Sequence, residues 1–237
     1  FQYSPDRGGE HPREHLEGYR GILQADAYSG YSKLFDSWRV VHAACFGHAR
    51  RYYWDVYETQ KRAAGSVAEQ ALQRIAELYE IEADIRGRPP DERRRERLER
   101  AAPLLKGLHT WLSETLARVS AKSDLAEAIG YSLTHWKALT RYCDDGRIEI
   151  DNNAAERALR GVSLGRKNYL FFGSDAGGER AAAIYSLVET AKLNGLDPEA
   201  YLREVFERIA DHPINRIEEL LPWNIGRHLE APQRKAA

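Results

Sequence analysis

Two short apolar runs constrain this chain most. Gly21–Asp26 (GILQAD) and Val40–Phe46 (VVHAACF) are too short for independent helices and carry β-branched residues, so both read as strands. Tyr28–Trp38 between them reads as a helix. Parallel strands need a crossover, and a single helix between two strands predicts a parallel α/β unit. In such sheets functional groups gather at the carboxyl ends of strands. Asp26 stands at such an end, although its position also suits the N-cap of the helix that follows.

From Ala49 to Asp144 the pattern turns helical. Val67, Ala71, Leu72, Ile75, Leu78 and Tyr79 recur at helical spacing. Leu104, Leu108, Trp111, Leu112 and Leu116 form a second stripe, and Leu125, Ile129, Leu133, Trp136 and Leu139 a third. Arg86-Gly87-Arg88-Pro89-Pro90 breaks the series, Asp91 is placed to cap the next helix, and Pro103 is expected to kink or end it. The tryptophans read as core anchors rather than stacking platforms. Residues 86–100 hold seven arginines against four acids, which reads as a solvated helix face.

The next stretch carries the chemistry. Asp151-Asn152-Asn153-Ala154-Ala155-Glu156-Arg157-Ala158-Leu159-Arg160 reads as a polar turn opening a helix, with Arg166 and Lys167 just beyond. A carboxylate among basic side chains suits a site that handles metal ions and phosphates together. Two-metal sites use acids to hold ions about 4 Å apart, while Arg and Lys grip a nucleic-acid backbone. On that reading Arg157, Arg160, Arg166 and Lys167 are backbone contacts. The spacing from Asn153 to Glu156 is equally that of a capping box.

The flanks are less informative. Phe1–Tyr3 is read as a strand end, Ser4–Gly9 as a turn and Glu14–Tyr19 as a short helix. Lys167–Phe172 looks extended, and Gly173–Gly178 is a glycine-rich loop without a Walker pattern before a helix from Arg180 to Leu193. Asn194-Gly195 stops that helix, and Asp197-Pro198 caps the next. Leu220–Trp223 reads as an apolar plug, and Gln233–Ala237 as a disordered tail.

Net charge is −1, so nucleic-acid contact has to come from local patches. No apolar run approaches membrane-span length. Two cysteines, Cys45 and Cys143, exclude a disulfide framework and point to a reducing cytoplasm. His42-x-x-Cys45-x-x-His48 supplies three metal-ligand types rather than the four of a structural zinc site. On a strand, His42 and Cys45 would face opposite ways, so Cys45 reads as a small buried residue. His48 suits either a substrate contact at the sheet edge or a packing role. The chain has no Met and is read as part of a longer protein.

Several blocks together resemble bacterial transposases of the insertion sequence 66 family. They are GILQADAYSGY, CFGHARR at 45–51, GRIEIDNNAAERALRGVSLGRKNYLFFGSDAGGERAA from Gly146, AKLNGLDPEAYL and LLPW. The resemblance covers nearly the whole chain and corresponds to the family's carboxyl-terminal part. It implies an α/β fold: a ribonuclease-H-like core, lacking its first strands here, with a large all-helical insertion and a helical C-terminal segment. The implied boundaries are core 1–56, insertion 57–145, second core part 146–195 and C-terminal segment 196–237. Asp26 then matches the second acid of a D-D-E triad and Glu156, 130 positions later, the third. Both would be catalytic and would hold two Mg²⁺ (or Mn²⁺) ions for phosphodiester cleavage and strand transfer at element ends. The implied partner is DNA, bound by a homo-oligomer in the cytoplasm, with no membrane. No residue here matches the first acid, so the chain alone is expected to be inactive. A non-catalytic DNA-binding or oligomerisation remnant is the alternative. An unrelated two-metal nuclease would need Asp151 to complete its site.

Overall fold

The computed structural model describes residues 1–36 and 39–229. Ser37 and Trp38, at the end of the helix expected over Tyr28–Trp38, lie outside the described residues, as does the tail Gln233–Ala237. The chain forms two compact units, Gly8–Glu156 and Phe1–Arg7 with Arg157–Ala237.

In the first unit, helix α1 (Glu10–His15) precedes strand β1 (Gly21–Gln24), helix α2 (Ser32–Phe35) and strand β2 (Val40–Ala43). The strands pair in parallel with Gly21 opposite Val40 and Gln24 opposite Ala43, so the expected strand–helix–strand unit is present. It is shorter than the sequence suggested. β1 is half-buried, and pairing runs one residue beyond it through the Ala25 amide on the Ala43 carbonyl at 3.0 Å. β2 stops at Ala43 because Cys45 caps the start of helix α3 (Phe46–Thr59). The Phe46 amide donates to the Ile150 carbonyl at 3.0 Å, outside the sheet. Phe1–Tyr3 is not a strand, and α1 begins four residues before the helix expected at Glu14.

Helices α4 (Val67–Asp84), α5 (Pro90–Glu96), α6 (Ala102–Leu116), α7 (Asp124–Thr134) and α8 (Trp136–Leu139) complete this unit. Ala71, Leu72, Ile75 and Leu78 of α4 share one core with Leu108 and Leu112 of α6, Ile129 of α7, Leu139 of α8, and Phe46 and Tyr53 of α3. The expected stripes therefore face inward, except that Leu104 is exposed and Leu105 takes its place. Trp111 and Trp136 pack against this core.

Pro103 does not end its helix. A π turn over Arg97–Ala101 joins α5 to α6. Proline removes one ladder donor and crowds the preceding turn, and the π turn, a rare helical bulge, falls on that preceding turn. That turn carries Arg97, which is 0% exposed. The arginine-rich stretch is therefore not simply a solvated face. Arg97 Nε and Nη2 donate to Glu82 at 2.7 and 2.6 Å, and Nη1 donates to the carbonyls of Tyr142 and Ile148 at 2.8 and 2.9 Å. Arg93 makes a two-pronged pair with Glu149 at 2.8 Å on both branches. These arginines thus clamp the loop leading to Glu156.

The second unit takes in most of helix α9 (Asn153–Gly165), then helices α10 (Asp175–Leu193), α11 (Pro198–Arg208) and α12 (Pro222–Leu229). Its core is Ala191, Leu196, Tyr201, Leu220 and Ile225. Asp197 caps α11 by accepting the Ala200 amide at 2.8 Å, as its sequence predicts. The glycine-rich loop is mostly helix. Ser174 caps α10 through the Gly177 amide, and a side chain at Gly178 would strike the Tyr3 ring. Lys167–Phe172 is exposed and forms no strand. Leu220 is buried, but Trp223, also part of the expected plug, is 52% exposed.

Candidate functional site

The site lies where β2 turns into α3 and the Asp151–Glu156 segment packs against that turn, all within the first unit. Asp26 follows the end of β1 by two residues, half-buried, and its Oδ1 accepts the Tyr28 amide at 3.2 Å. That is the turn-capping bond its local sequence allowed, and it engages one of the two carboxylate oxygens.

Glu156 behaves differently from the capping-box expectation. The Asn153 amide, which a capping-box glutamate would accept, donates instead to Asp151 Oδ1 at 3.1 Å. Asp151 Oδ2 also accepts from the Asn153 side-chain Nδ2 at 2.7 Å and the Tyr79 hydroxyl at 2.9 Å. Burial, and then the Asp151 charge, push the Tyr79 phenol well above its ordinary range. Asp151 therefore takes the Asn153 amide in an Asx turn ahead of the helix, and its carboxylate is fully engaged by the protein. Released from capping, Glu156 points at α3. Its Oε1 lies 3.3 Å from His48 Nε2, and its Oε2 lies 3.7 Å from Arg51 Nη2.

Cys45 completes the group. It is 0% exposed, and its Sγ accepts the Asn152 amide at 3.4 Å. Burial raises the thiol above its ordinary range. Ligand atoms of Cys45, His48 and Glu156 all lie within 4.8 Å of one another, and Asp26 is not a member of this group. His42, which the sequence spacing paired with Cys45, is also outside it. Its ring stacks on Phe35 at 4.4 Å with Nε2 3.3 Å from the Ala25 carbonyl, and burial lowers its pKa. Burial, and then Tyr52, push the phenol of Tyr131 on α7 to about 12, with Cys45 and Asp26 adding smaller contributions.

Beside Glu156, Gly47, Arg50, Arg51, Trp54, Tyr79 and Asn153 line an open groove of about 480 Å³. The guanidinium groups of Arg50 and Arg62 lie 5.7 and 5.6 Å from the Trp54 ring. None of these arginines was singled out from sequence. The usable signal was the ARR run four to six positions after Cys45, at the start of α3. Gly47 faces the same junction, where an added side chain would press on Cys45 Sγ at 3.3 Å.

These features fall on the segments that define a known group of proteins. The family profile described as "Transposase IS66 family" matches residues 1–180, and "IS66 C-terminal element" matches residues 186–223. The chain belongs to the IS66 transposase family. It is 41% identical to the uncharacterized protein y4hP of Sinorhizobium fredii (strain NBRC 101917 / NGR234), over 100% of this chain and 45% of that protein. Similarity to y4jD of the same strain is 39%, over 94% of this chain and 45% of that protein. The chain thus spans just under half the length of these relatives. No solved structure matches it.

Within this IS66 chain, Arg157, Arg160, Arg166 and Lys167 are all exposed, the first two on α9 beyond Glu156 and the others in the turn after it. They belong to the second unit, whereas Glu156 closes the first. No helix among the described residues is long and apolar enough to cross a membrane.

Proposed function

We propose that this chain is the part of a DNA transposase that carries the second and third acids of a D-D-E set, Asp26 and Glu156, on a ribonuclease-H-like core. IS66 membership supports the reaction class. The observation that carries the residue assignment is the Glu156 side chain, which leaves the Asn153 amide to Asp151 and faces His48 and Arg51. The parallel β1–β2 pair with Asp26 just past its carboxyl end supports the core.

The two acids offer hard oxygen donors, the chemistry that Mg²⁺ or Mn²⁺ takes. Asp26 is half-buried and the Glu156 side chain is 36% exposed, so both carboxylates are reachable from solvent. Bound ions of this class supply the charge that activates water and stabilises a leaving oxygen. Arg51 steadies Glu156 through Oε2, and His48 steadies it through Oε1. Arg157, Arg160, Arg166 and Lys167 grip the DNA backbone, which adds affinity without reading sequence. The reading assigns the first acid to no residue of this chain and makes the complete protein a homo-oligomer on DNA in the cytoplasm.

The test is Glu156→Gln in the complete transposase. Cleavage at element ends should be lost while DNA affinity is kept, and normal cleavage would remove Glu156 from the site. The chain alone is expected to nick DNA little or not at all with Mg²⁺. A second reading, a non-catalytic DNA-binding piece, is favoured by the Arg50–Arg51–Trp54 groove. It predicts salt-sensitive DNA binding without metal dependence.

A further inference from the structure

The spacing His42-x-x-Cys45-x-x-His48 carries one metal-ligand type too many at one end. The fold turns His42 away, against Phe35 and the Ala25 carbonyl, and brings Glu156 to Cys45 and His48 from a different helix. We propose that Cys45 Sγ, His48 Nε2 and a Glu156 oxygen form a binding site for one transition-metal ion of the zinc class. The inference does not rest on the transposase reading: it concerns binding by this chain alone, and an ion held by Cys45 and His48 would take Glu156 in place of the Mg²⁺ ligation proposed above.

The geometry is close to that of a site. Bonds of about 2.0–2.3 Å to a four-coordinate ion put its ligand atoms roughly 3.3–3.8 Å apart. His48 Nε2 and Glu156 Oε1 are already 3.3 Å apart, and all three ligand atoms lie within 4.8 Å. Arg51 holds the other oxygen of Glu156, so Oε1 is the one presented. The scaffold is pinned at both sides. Cys45 and His48 sit at the first turn of α3, and the Glu156 segment is fastened there by the Asn152 amide on Cys45 Sγ and the Phe46 amide on the Ile150 carbonyl.

Donor chemistry selects the ion. One sulfur, one imidazole and one carboxylate favour zinc-class ions over the hard cations that prefer oxygen alone. A thiolate and a carboxylate also balance the charge of a divalent ion. Binding breaks the Cys45 S–H bond and forms a sulfur–metal bond, the proton leaves to solvent, and nothing is oxidised or reduced. Three protein ligands leave the fourth position to water. A second observation points the same way. Among the described residues, five buried side-chain polar atoms lack a partner, and two of them, His48 Nδ1 and Asn152 Oδ1, belong to this junction. Buried polar atoms are normally satisfied, so two orphans in one place mark a junction whose hydrogen bonding is incomplete, and His48 Nδ1 is the ring nitrogen that would carry the proton with Nε2 on an ion.

The experiment is a Co²⁺ titration of the reduced full chain, followed by absorption spectroscopy. One equivalent should produce a thiolate-to-cobalt charge-transfer band with the visible bands of a tetrahedral ion, and Zn²⁺ should displace it. The band should persist in Cys143→Ser and vanish in Cys45→Ser. His48→Ala and Glu156→Gln should keep the band but weaken Co²⁺ binding by at least about tenfold. These two positions are partly exposed, so their variants carry the test should Cys45→Ser fail to fold. The proposal is overturned by absence of the band in the unaltered chain, by its loss in Cys143→Ser, by its survival in Cys45→Ser, or by unchanged affinity in both His48→Ala and Glu156→Gln.

Discussion

His48 Nε2 lies 3.3 Å from Glu156 Oε1, joining the first turn of α3 to the first turns of α9 across more than a hundred residues of chain. That contact orients a carboxylate which local sequence would have spent on a helix cap. In the complete transposase, His48→Ala is therefore expected to lower Mg²⁺-dependent cleavage by about 10–100-fold while DNA affinity is retained. Single-turnover cleavage alongside a binding isotherm checks this. Unaltered cleavage would reduce the contact to packing.

On the DNA-binding reading, the groove beside this pair takes the nucleic-acid backbone. If Arg50 and Arg51 each neutralise a phosphate, replacing both with Ala should lower the slope of log affinity against log salt by about two, at roughly 0.9 per contact. Binding should weaken equally across unrelated DNA sequences, since backbone contacts carry no sequence information. A salt titration by fluorescence anisotropy measures both. An unchanged slope would take the groove out of the DNA-binding surface.

Arg97 is the structural counterpart of the site. Its guanidinium is fully buried, pairs with Glu82 and holds the carbonyls of Tyr142 and Ile148. Removing one partner of a buried pair typically costs about 3–5 kcal/mol, and without Arg97 the buried Glu82 keeps only Arg93 Nη2 at 3.6 Å. Arg97→Ala should destabilise the chain by about that amount in urea unfolding. The double variant Arg97→Met with Glu82→Leu should recover much of the loss, because it leaves no unpaired charge. The carbonyls of Tyr142 and Ile148 would still lack a donor, so recovery should be incomplete.

Tyr53 supplies a pH dependence. Burial in the first core pushes its phenol to about 12, partly offset by its hydrogen bond with Ser132 at 2.9 Å. A phenol in the unfolded chain ionises near 10. Because the folded value is the higher one, this contribution is complete below about pH 10 and is lost as pH rises through about 12. The loss should be on the order of 2 kcal/mol. Urea midpoints at about pH 9 and about pH 11.5 should show it, and Tyr53→Phe should shrink the difference. An equal difference in Tyr53→Phe would assign the alkaline loss to other groups.

Much of this architecture was written locally. The parallel β1–β2 unit, the helical stripes of α4, α6 and α7, and the Asp197 cap follow from residues a few positions apart, because helix and strand periodicity and capping act over one or two turns. What local pattern could not decide was competition between partners. Asn153 and Glu156 have capping-box spacing, yet Asp151 takes the Asn153 amide because Tyr79, from α4, braces its carboxylate. His42, Cys45 and His48 are evenly spaced, yet β2 ends before Cys45, and the ring of His42 is drawn to Phe35. Arg97 looks like one more surface arginine, but a π turn sets it inside, where only distant carbonyls and Glu82 satisfy it. In each case the sequence supplied a side chain with two possible partners. Tertiary packing chose between them, since a buried polar group must be paired with whatever the fold brings within reach.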